Sequence, residues 1–388
     1  MRLQRVTLLI ACAALACATP PDIEAPPGAE AELPLWQPWT GEVTRIAFGS
    51  CAFQWEPQPI FRTIADAEPE LYVSLGDAIY GDYDGTKVIE VTEESLQREW
   101  ELLAGSPDWQ YLRERVPIEG TWDNHDYGHH SAGADFPLKQ TTKRLFLDAF
   151  GEPLESERRR RPGLFASRMI ESRGRRVQLI LLDTRTFKSP QVLAERPAGA
   201  GGSLGKFAVD ESEGATILGD AQWGWLYEKL EEEVDLRLIA SSTQVLAAHK
   251  GMDQWTLQPR ERRALARVAL QSAWATSSPT ILLSGNAHFA EISHLEVDWR
   301  GVEPAAIQRA LLDFTSSGLT HTEPAYASAP NPARVAGPFT ALNFGLIEVD
   351  WEAEGGPLVR LSAIGVDGRV GFDYATDLAF APVEAAAE

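Results

Sequence analysis

Six short apolar runs punctuate the chain, and each runs directly into small or polar residues. Residues 45–48 lead into Gly49-Ser50-Cys51, 71–75 into Gly76-Asp77, and 116–118 into Gly120-Thr121-Trp122-Asp123-Asn124-His125-Asp126. Residues 177–182 lead into Asp183-Thr184-Arg185, 236–240 into Ser241-Ser242-Thr243-Gln244, and 280–283 into Ser284-Gly285-Asn286-Ala287-His288. Continuous apolar runs of this length predict strands buried on both faces. Between them, apolar residues fall at helical spacing in 93–104 (Leu96, Trp100, Leu103), 141–150 (Leu145, Phe146, Ala149) and 222–233 (Trp225, Leu226, Leu230). A fourth helix is expected over 259–273, with Pro259 in its first turn. Strands at 344–349 and 358–364 are expected to close a second sheet. The run Arg158-Arg159-Arg160-Arg161 reads as a solvated loop, and the Gly- and Ala-rich stretch 191–213 as a mobile one. The pattern predicts an α/β fold. In open α/β sheets ligands bind outside the carboxyl ends of the strands, so six polar tails point towards one shared site.

The second tail carries the sharpest chemistry. Leu71-Tyr72-Val73-Ser74-Leu75 reads as a strand that Gly76 ends, with Asp77 and Tyr80 just past its tip. A carboxylate fixed at the end of a rigid strand is well placed to hold a metal. A free phenol titrates near pH ~10, so Tyr80 ionises at neutral pH only beside a strong Lewis acid, of which Fe(III) is the obvious one. A strand-end turn with a core tyrosine accounts for the same residues without a metal. In Asp123-Asn124-His125-Asp126, Asn124 offers a neutral carbonyl oxygen to a metal. His125 can donate to a phosphoryl oxygen, and Asp126, or Asp123, can orient its imidazole. A surface turn with a capping Asp and Asn is the alternative. Beside Asp77, Tyr80 and Cys51, His288 completes a four-donor set. Its thiolate, phenolate and carboxylate bring three negative charges, which suits Fe(III) better than Mg or Ca. His129, His130 and Gln244 are candidates for additional metal or substrate contacts, the histidines alternatively being chance members of a Gly-containing loop. His249, His294 and His321 have no such neighbours and read as structural or exposed.

Charge narrows the partners. The 388 residues include 56 Asp and Glu against 35 Lys and Arg, a net charge of −21. That excludes the basic surface that non-specific nucleic-acid binding requires. A phosphate substrate remains compatible, because a bound cation reverses the local field. With 44% hydrophobic residues and 12 Trp the chain can build a large core. At the N-terminus, basic Met1-Arg2-Leu3-Gln4-Arg5 precedes an apolar run, 6–16, too short to span a bilayer in a mature protein. Leu15-Ala16-Cys17 resembles a bacterial lipoprotein cleavage box with Cys17 as the lipidated residue. Leu9-Ile10-Ala11-Cys12 fits with less apolar chain before it, and an ordinary secretory signal is the plainer alternative. The expected organisation is a signal over 1–16, a Pro/Ala-rich tether over 17–41, one catalytic domain over 42–375 and an acidic tail over 376–388. This places a monomer at the bacterial cell envelope, periplasmic or on the outer membrane through a lipid anchor. Cys51 is then left without a disulfide partner.

Taken in order, the tails form a recognisable series. It runs Phe48-Gly49-Ser50-Cys51, Leu75-Gly76-Asp77-Ala78-Ile79-Tyr80, Thr121-Trp122-Asp123-Asn124-His125-Asp126-Tyr127-Gly128 and Leu182-Asp183-Thr184-Arg185. Leu218-Gly219-Asp220-Ala221-Gln222, Ser241-Ser242-Thr243-Gln244 and Ser284-Gly285-Asn286-Ala287-His288 continue it. The series resembles the alkaline phosphatase D (PhoD-like) family, within the wider metallophosphoesterases that include purple acid phosphatases. The resemblance covers roughly 45–296 and extends to the strands beyond. It implies a four-layer αββα metallophosphoesterase-like sandwich with a dinuclear site at the strand ends. Cys51, Asp77, Tyr80 and His288 would hold Fe(III). Asp77 would bridge to a second divalent metal, calcium or another, held further by Asn124 and Asn286. The implied reaction is hydrolysis of a phosphate mono- or diester, small-molecule or phospholipid-type, by a metal-activated hydroxide. His125 would stabilise the transition state or protonate the leaving oxygen. Arg185 would hold a phosphate oxygen or sit in a structural ion pair. Relatives usually carry Asp where this chain has Asn124 and Asn286, and often Asn-Asp where it has His130-Ser131. The second site thus loses two negative charges, on which calcium affinity depends. A degenerate relative, binding a phosphorylated ligand at a retained iron site without turnover, is the alternative.

Overall fold

The computed structural model describes residues 45–172, 174–195, 204–248, 250–296, 310–354 and 356–377. The expected signal and tether, Cys12, Cys17, His249 and residues 378–388 lie outside them. The described strands form two sheets. In order across the first lie β13 (Val370–Asp377), β12 (Leu358–Gly365), β11 (Asn343–Asp350), β1 (Arg45–Gly49), β2 (Leu71–Ser74) and β3 (Ile118–Gly120). Across the second lie β10 (Arg334–Phe339), β8 (Ala290–Glu296), β9 (Ala310–Ser316), β7 (Thr280–Ser284), β6 (Leu236–Ala240), β5 (Arg175–Leu181) and β4 (Ala166–Ser172). All six strands expected from the apolar runs form, with ends shifted by a residue or two, and β13 runs past the expected domain end at 375.

Alternation within the runs decides the layers. Ile46 and Phe48 of β1 meet Leu179, Leu238, Leu283 and Phe314 of the other sheet in one buried cluster. Ala47 and Tyr72 face the other way, onto helices Ile60–Asp66, Glu93–Gly105, Pro107–Arg113 and Lys139–Ala149. On the far side, Ile180, Ile239 and Leu282 pack under helices Gly219–Leu230 and Pro259–Thr276. Both faces of each sheet are therefore dry at its central strands, while the edge strands β10 and β13 stay partly exposed, and the layers read helix, sheet, sheet, helix. Each fully buried Leu, Ile or Phe in them contributes roughly 1.5–3 kcal/mol, which makes the strand ends a rigid mounting.

β1, β2 and β3 run parallel, as do β5, β6, β7 and β9. Register brings their carboxyl ends level: Gly49 lies opposite Ser74 and Ser74 opposite Gly120. Thr121 Oγ1 donates to the Leu182 carbonyl at 2.7 Å, tying the tail of β3 to that of β5 across the two sheets. The four-Arg run does not form a solvated loop. Arg158 is buried, pairs with Glu152 at 3.4 Å, and donates to the carbonyls of Leu164 and Gly120. Local charge suggested water, but Glu119 and Glu152, brought up by the fold, replace it. Within 191–213 the described residues include an antiparallel bridge between Leu193 and buried Phe207.

Candidate metal centre

Gly76 has φ +98°, and a Cβ there would collide with the backbone of Asp123. This lets the tail of β2 pass directly against the tail of β3. Asp126 then locks the two together. Its buried carboxylate accepts the backbone N–H groups of Asp77 (2.5 Å), Ala78 (2.8 Å), Ile79 (3.1 Å) and Asp123 (2.9 Å). Burial lifts its pKa to about 7 against these four donors. Asp126 therefore fixes the turn rather than the imidazole. The ring of His125 is held by Asp82, with Nδ1 2.6 Å from Oδ1, a residue that sequence reading did not single out although it lies two positions after Tyr80.

Backbone conformation singles out the strand ends. Cys51 (φ 66°), Asp77 (52°), Asn286 (60°) and His288 (58°) are all left-handed. The other described non-glycine residues with positive φ are Glu68 and Ser277, which follow helices, where a left-handed residue is ordinary. Holding an L-residue there costs roughly 1–3 kcal/mol each, and such strain persists where the surroundings over-determine it, typically at functional sites.

Three acidic side chains meet at these ends. Cys51 Sγ lies 3.5 Å from Asp77 Oδ2, and the Tyr80 phenol stands near enough for the thiol to push its pKa further up. All three are buried, and among the described residues no Lys or Arg pairs with them. Burial pushes the Cys51 thiol up; burial and then the neighbouring thiol push Asp77 and Tyr80 well up. Asp77 Oδ1 accepts the N–H of His125 at 3.1 Å, and the His125 ring stacks on Tyr80 at 4.2 Å. Burial pulls His125 down, but Asp77 and the Asp82 hydrogen bond outweigh it and the net shift is upward. His288 joins through its backbone N–H, which donates to Ser317 Oγ at 2.9 Å, and through an edge-on contact with the His321 ring at 4.5 Å. Burial holds His288 down at about 4. Asn286 donates from Nδ2 to the Asp253 carbonyl at 3.1 Å.

Among the described residues no group of three His, Cys, Asp or Glu side chains is placed to hold a metal ion. The chemistry of the cluster fits a cation. Buried acids touch without a Lys or Arg partner, and the buried oxygens Asn124 Oδ1 and Asp123 Oδ2 have no hydrogen-bond partner.

Other expected residues fall elsewhere. Arg185 is fully buried, donating Nε to Asp123 at 2.7 Å and Nη1 to Asp253 at 2.6 Å, and Lys188 also pairs with Asp253. This is the structural ion pair, not a phosphate clamp. Gln244 is committed to Glu291 (2.8 Å), Thr315 (3.1 Å) and Lys250 (3.2 Å), which leaves it no part in the cluster. His129 and His130 are exposed, and the His130 ring lies 6.2 Å from that of His125. His294 sits on β8 beside Glu296. His321, expected to be structural or exposed, stands in the cluster: Nε2 is 3.1 Å from the Tyr80 hydroxyl. Its position in sequence carries no signal of this, because the contact spans 241 residues.

The chain matches the model of the PhoD-like phosphatase family over residues 46–341. No curated protein matches it. Among solved structures it is similar to "Structure of PhoD", at TM-score 0.63 and 14% identity, with 88% of this chain and 71% of that chain covered. A second match is the crystal structure of TT1561 from Thermus thermophilus, at TM-score 0.34 and 10% identity, covering 79% of this chain and 95% of that one. At such identity the likeness to PhoD bears on the fold alone, and it agrees with the αββα sandwich. The family match spans well over half of the sequence: the chain belongs to the PhoD-like phosphatase family and is a hydrolase of phosphoric ester bonds.

Proposed function

We propose that the chain hydrolyses phosphate mono- or diesters outside the cytoplasm at a metal centre held by Cys51, Asp77, Tyr80 and His288. Fe(III) would be the resident ion, and Asn124, Asn286 and Asp77 would hold a second divalent cation. The observation that carries this reading is the contact of a buried thiol and carboxyl, with a buried phenol beside them against His125, and no Lys or Arg among the described residues to balance them. A buried charge is expensive unless paired or bound to metal, so the donor set is suited to ionise when a cation arrives. When bound, the ions supply the Lewis acidity that activates water and neutralises charge on the phosphoryl oxygens.

The chain's own residues do the rest. With Asp82 accepting at Nδ1, the His125 nitrogen left for the reacting group is Nε2. An imidazole whose pKa is raised is protonated over more of the neutral range and serves as a proton donor to the leaving oxygen. Asp126 holds the turn that carries both Asp77 and His125, which keeps the donor set and the acid in one frame. Export by the N-terminal segment, with lipid attached at Cys17, would place this activity at the cell envelope, on small-molecule or phospholipid-type esters.

Elemental analysis tests the metal, and hydrolysis of chromogenic mono- and diesters tests the reaction, before and after chelation and metal add-back. Stoichiometric iron, with activity lost on chelation and restored by metal, is expected. Full activity in a colourless, metal-free protein would overturn the proposal.

A further inference from the structure

The segment that follows β9 runs over the donor cluster and is bonded to it along its length. Leu319 N–H donates to the Ser50 carbonyl and Thr320 N–H to the Cys51 carbonyl, both at 3.3 Å. Phe53 N–H donates to Thr320 Oγ1 at 2.7 Å. Gly318, where a Cβ would press on Asn343 Nδ2 and the Thr322 methyl, lets the segment turn there. Two of its side chains reach the candidate ligands. Ser317 Oγ lies 3.1 Å from Cys51 Sγ while accepting the His288 N–H at 2.9 Å, so its own hydrogen points to the sulfur. His321 Nε2 lies 3.1 Å from the Tyr80 oxygen.

The direction of the second bond follows from its neighbours. Thr320 Oγ1 already accepts from Phe53, and His321 Nδ1 lies 3.3 Å away. The threonine hydrogen is then available to Nδ1, and when Nδ1 accepts it the imidazole hydrogen sits on Nε2. In that tautomer Nε2 donates to the Tyr80 oxygen. The ring is also fixed in place: Phe53 stacks on it at 3.8 Å with the planes 10° apart.

We propose that Ser317 and His321 are positioning residues that donate hydrogen bonds to the Cys51 sulfur and the Tyr80 oxygen and thereby aim and tune these two ligands. The inference rests on the metal reading given above. Donors of this kind orient ligand atoms and withdraw electron density from them, and their loss typically costs about 10–100-fold in metal affinity.

The test uses the iron-loaded full chain and its visible charge-transfer band. In His321→Phe, which keeps an aromatic ring against Phe53, the band moves to longer wavelength because the phenolate is no longer stabilised by a hydrogen bond. Iron is lost to a competing chelator about tenfold or more readily. His321→Gln, which restores an N–H donor, moves back towards the parent on both measures. Ser317→Ala weakens iron retention while Tyr80 keeps its donor. A folded His321→Phe with unmoved band and unchanged chelator competition overturns the proposal. Tyr80→Phe separates this from the reading beneath it: a band unchanged in position and intensity there removes the ferric phenolate itself, and the proposal with it.

Discussion

Two buried ionic clusters lie side by side at the strand ends, and they are built on opposite plans. In one, Arg185 stands between Asp123 and Asp253, and Lys188 completes the set on Asp253. Two cations face two carboxylates, Arg185 is held above its ordinary value and Asp253 below its own. In the other, Cys51, Asp77 and Tyr80 crowd together and each is pushed towards its neutral form. The first cluster is balanced by Arg185 and Lys188; the second has no Lys or Arg among the described residues, only the His125 imidazole beside it. Asp123 joins them, with Oδ1 on Arg185 and Ser242 and Oδ2 left unpartnered. Charge balance thus separates the ion-paired polar groups from the proposed metal-binding ones more sharply than burial does, since both sets are buried.

The contrast breaks most visibly in stability. Arg185→Met strands Asp123 and Asp253 without their cation and is expected to cost about 3–5 kcal/mol, the usual penalty for removing one partner of a buried pair. Asp77→Asn removes an uncompensated acid and keeps an oxygen for the His125 N–H, so metal-free stability holds or rises while iron binding falls. Urea unfolding of both metal-free variants decides it; comparable losses would erase the distinction.

A second prediction concerns the acid. Asp82→Asn takes away the carboxylate that holds His125 Nδ1. We expect kcat to fall by roughly 10²-fold, at the lower end of what general acid catalysis supplies. KM and iron content are expected to stay near the parent values, and an unchanged kcat would remove Asp82 from the mechanism.

The smallest effect sharpens the comparison from a third case, a buried acid satisfied by neutral donors. Asp313 accepts from the N–H groups of Val245 (2.8 Å) and Leu246 (2.7 Å) and from the Ser284 hydroxyl. Burial nevertheless lifts its pKa to about 6. A carboxyl raised above its unfolded value near ~3.9 stabilises most below that value, and the contribution is lost as pH rises through the folded one. Asp313→Asn should therefore flatten the pH dependence of unfolding free energy between about pH 4 and 6. An unaltered slope in urea titrations across that window would contradict the assignment.

The contrast between what the sequence disclosed and what it hid follows the same physics. β6 was legible to the residue, because an uninterrupted apolar run has few other places to go. Asp77 and Tyr80 were legible because strand tips are set locally. Arg158 looked solvated because its acidic partners, Glu119 and Glu152, are separate in sequence from the run of like charge that contains it. Asp126 looked like a partner for its neighbour, yet its carboxylate turns back to the tail of β2.

The chain alone determined that strands alternate with helices, that the central strands are dry on both faces, and that polar tails gather at one edge. Those properties depend on hydrophobic periodicity, which residues a few positions apart settle between themselves. Only the tertiary structure decided that Asp82 holds His125, that Arg185 is bound up in ion pairs, and that Ser317 and His321 reach Cys51 and Tyr80. Hydrogen bonds and ion pairs act over about 3 Å, so their partners are chosen by the order of strands in the sheets and not by distance along the chain.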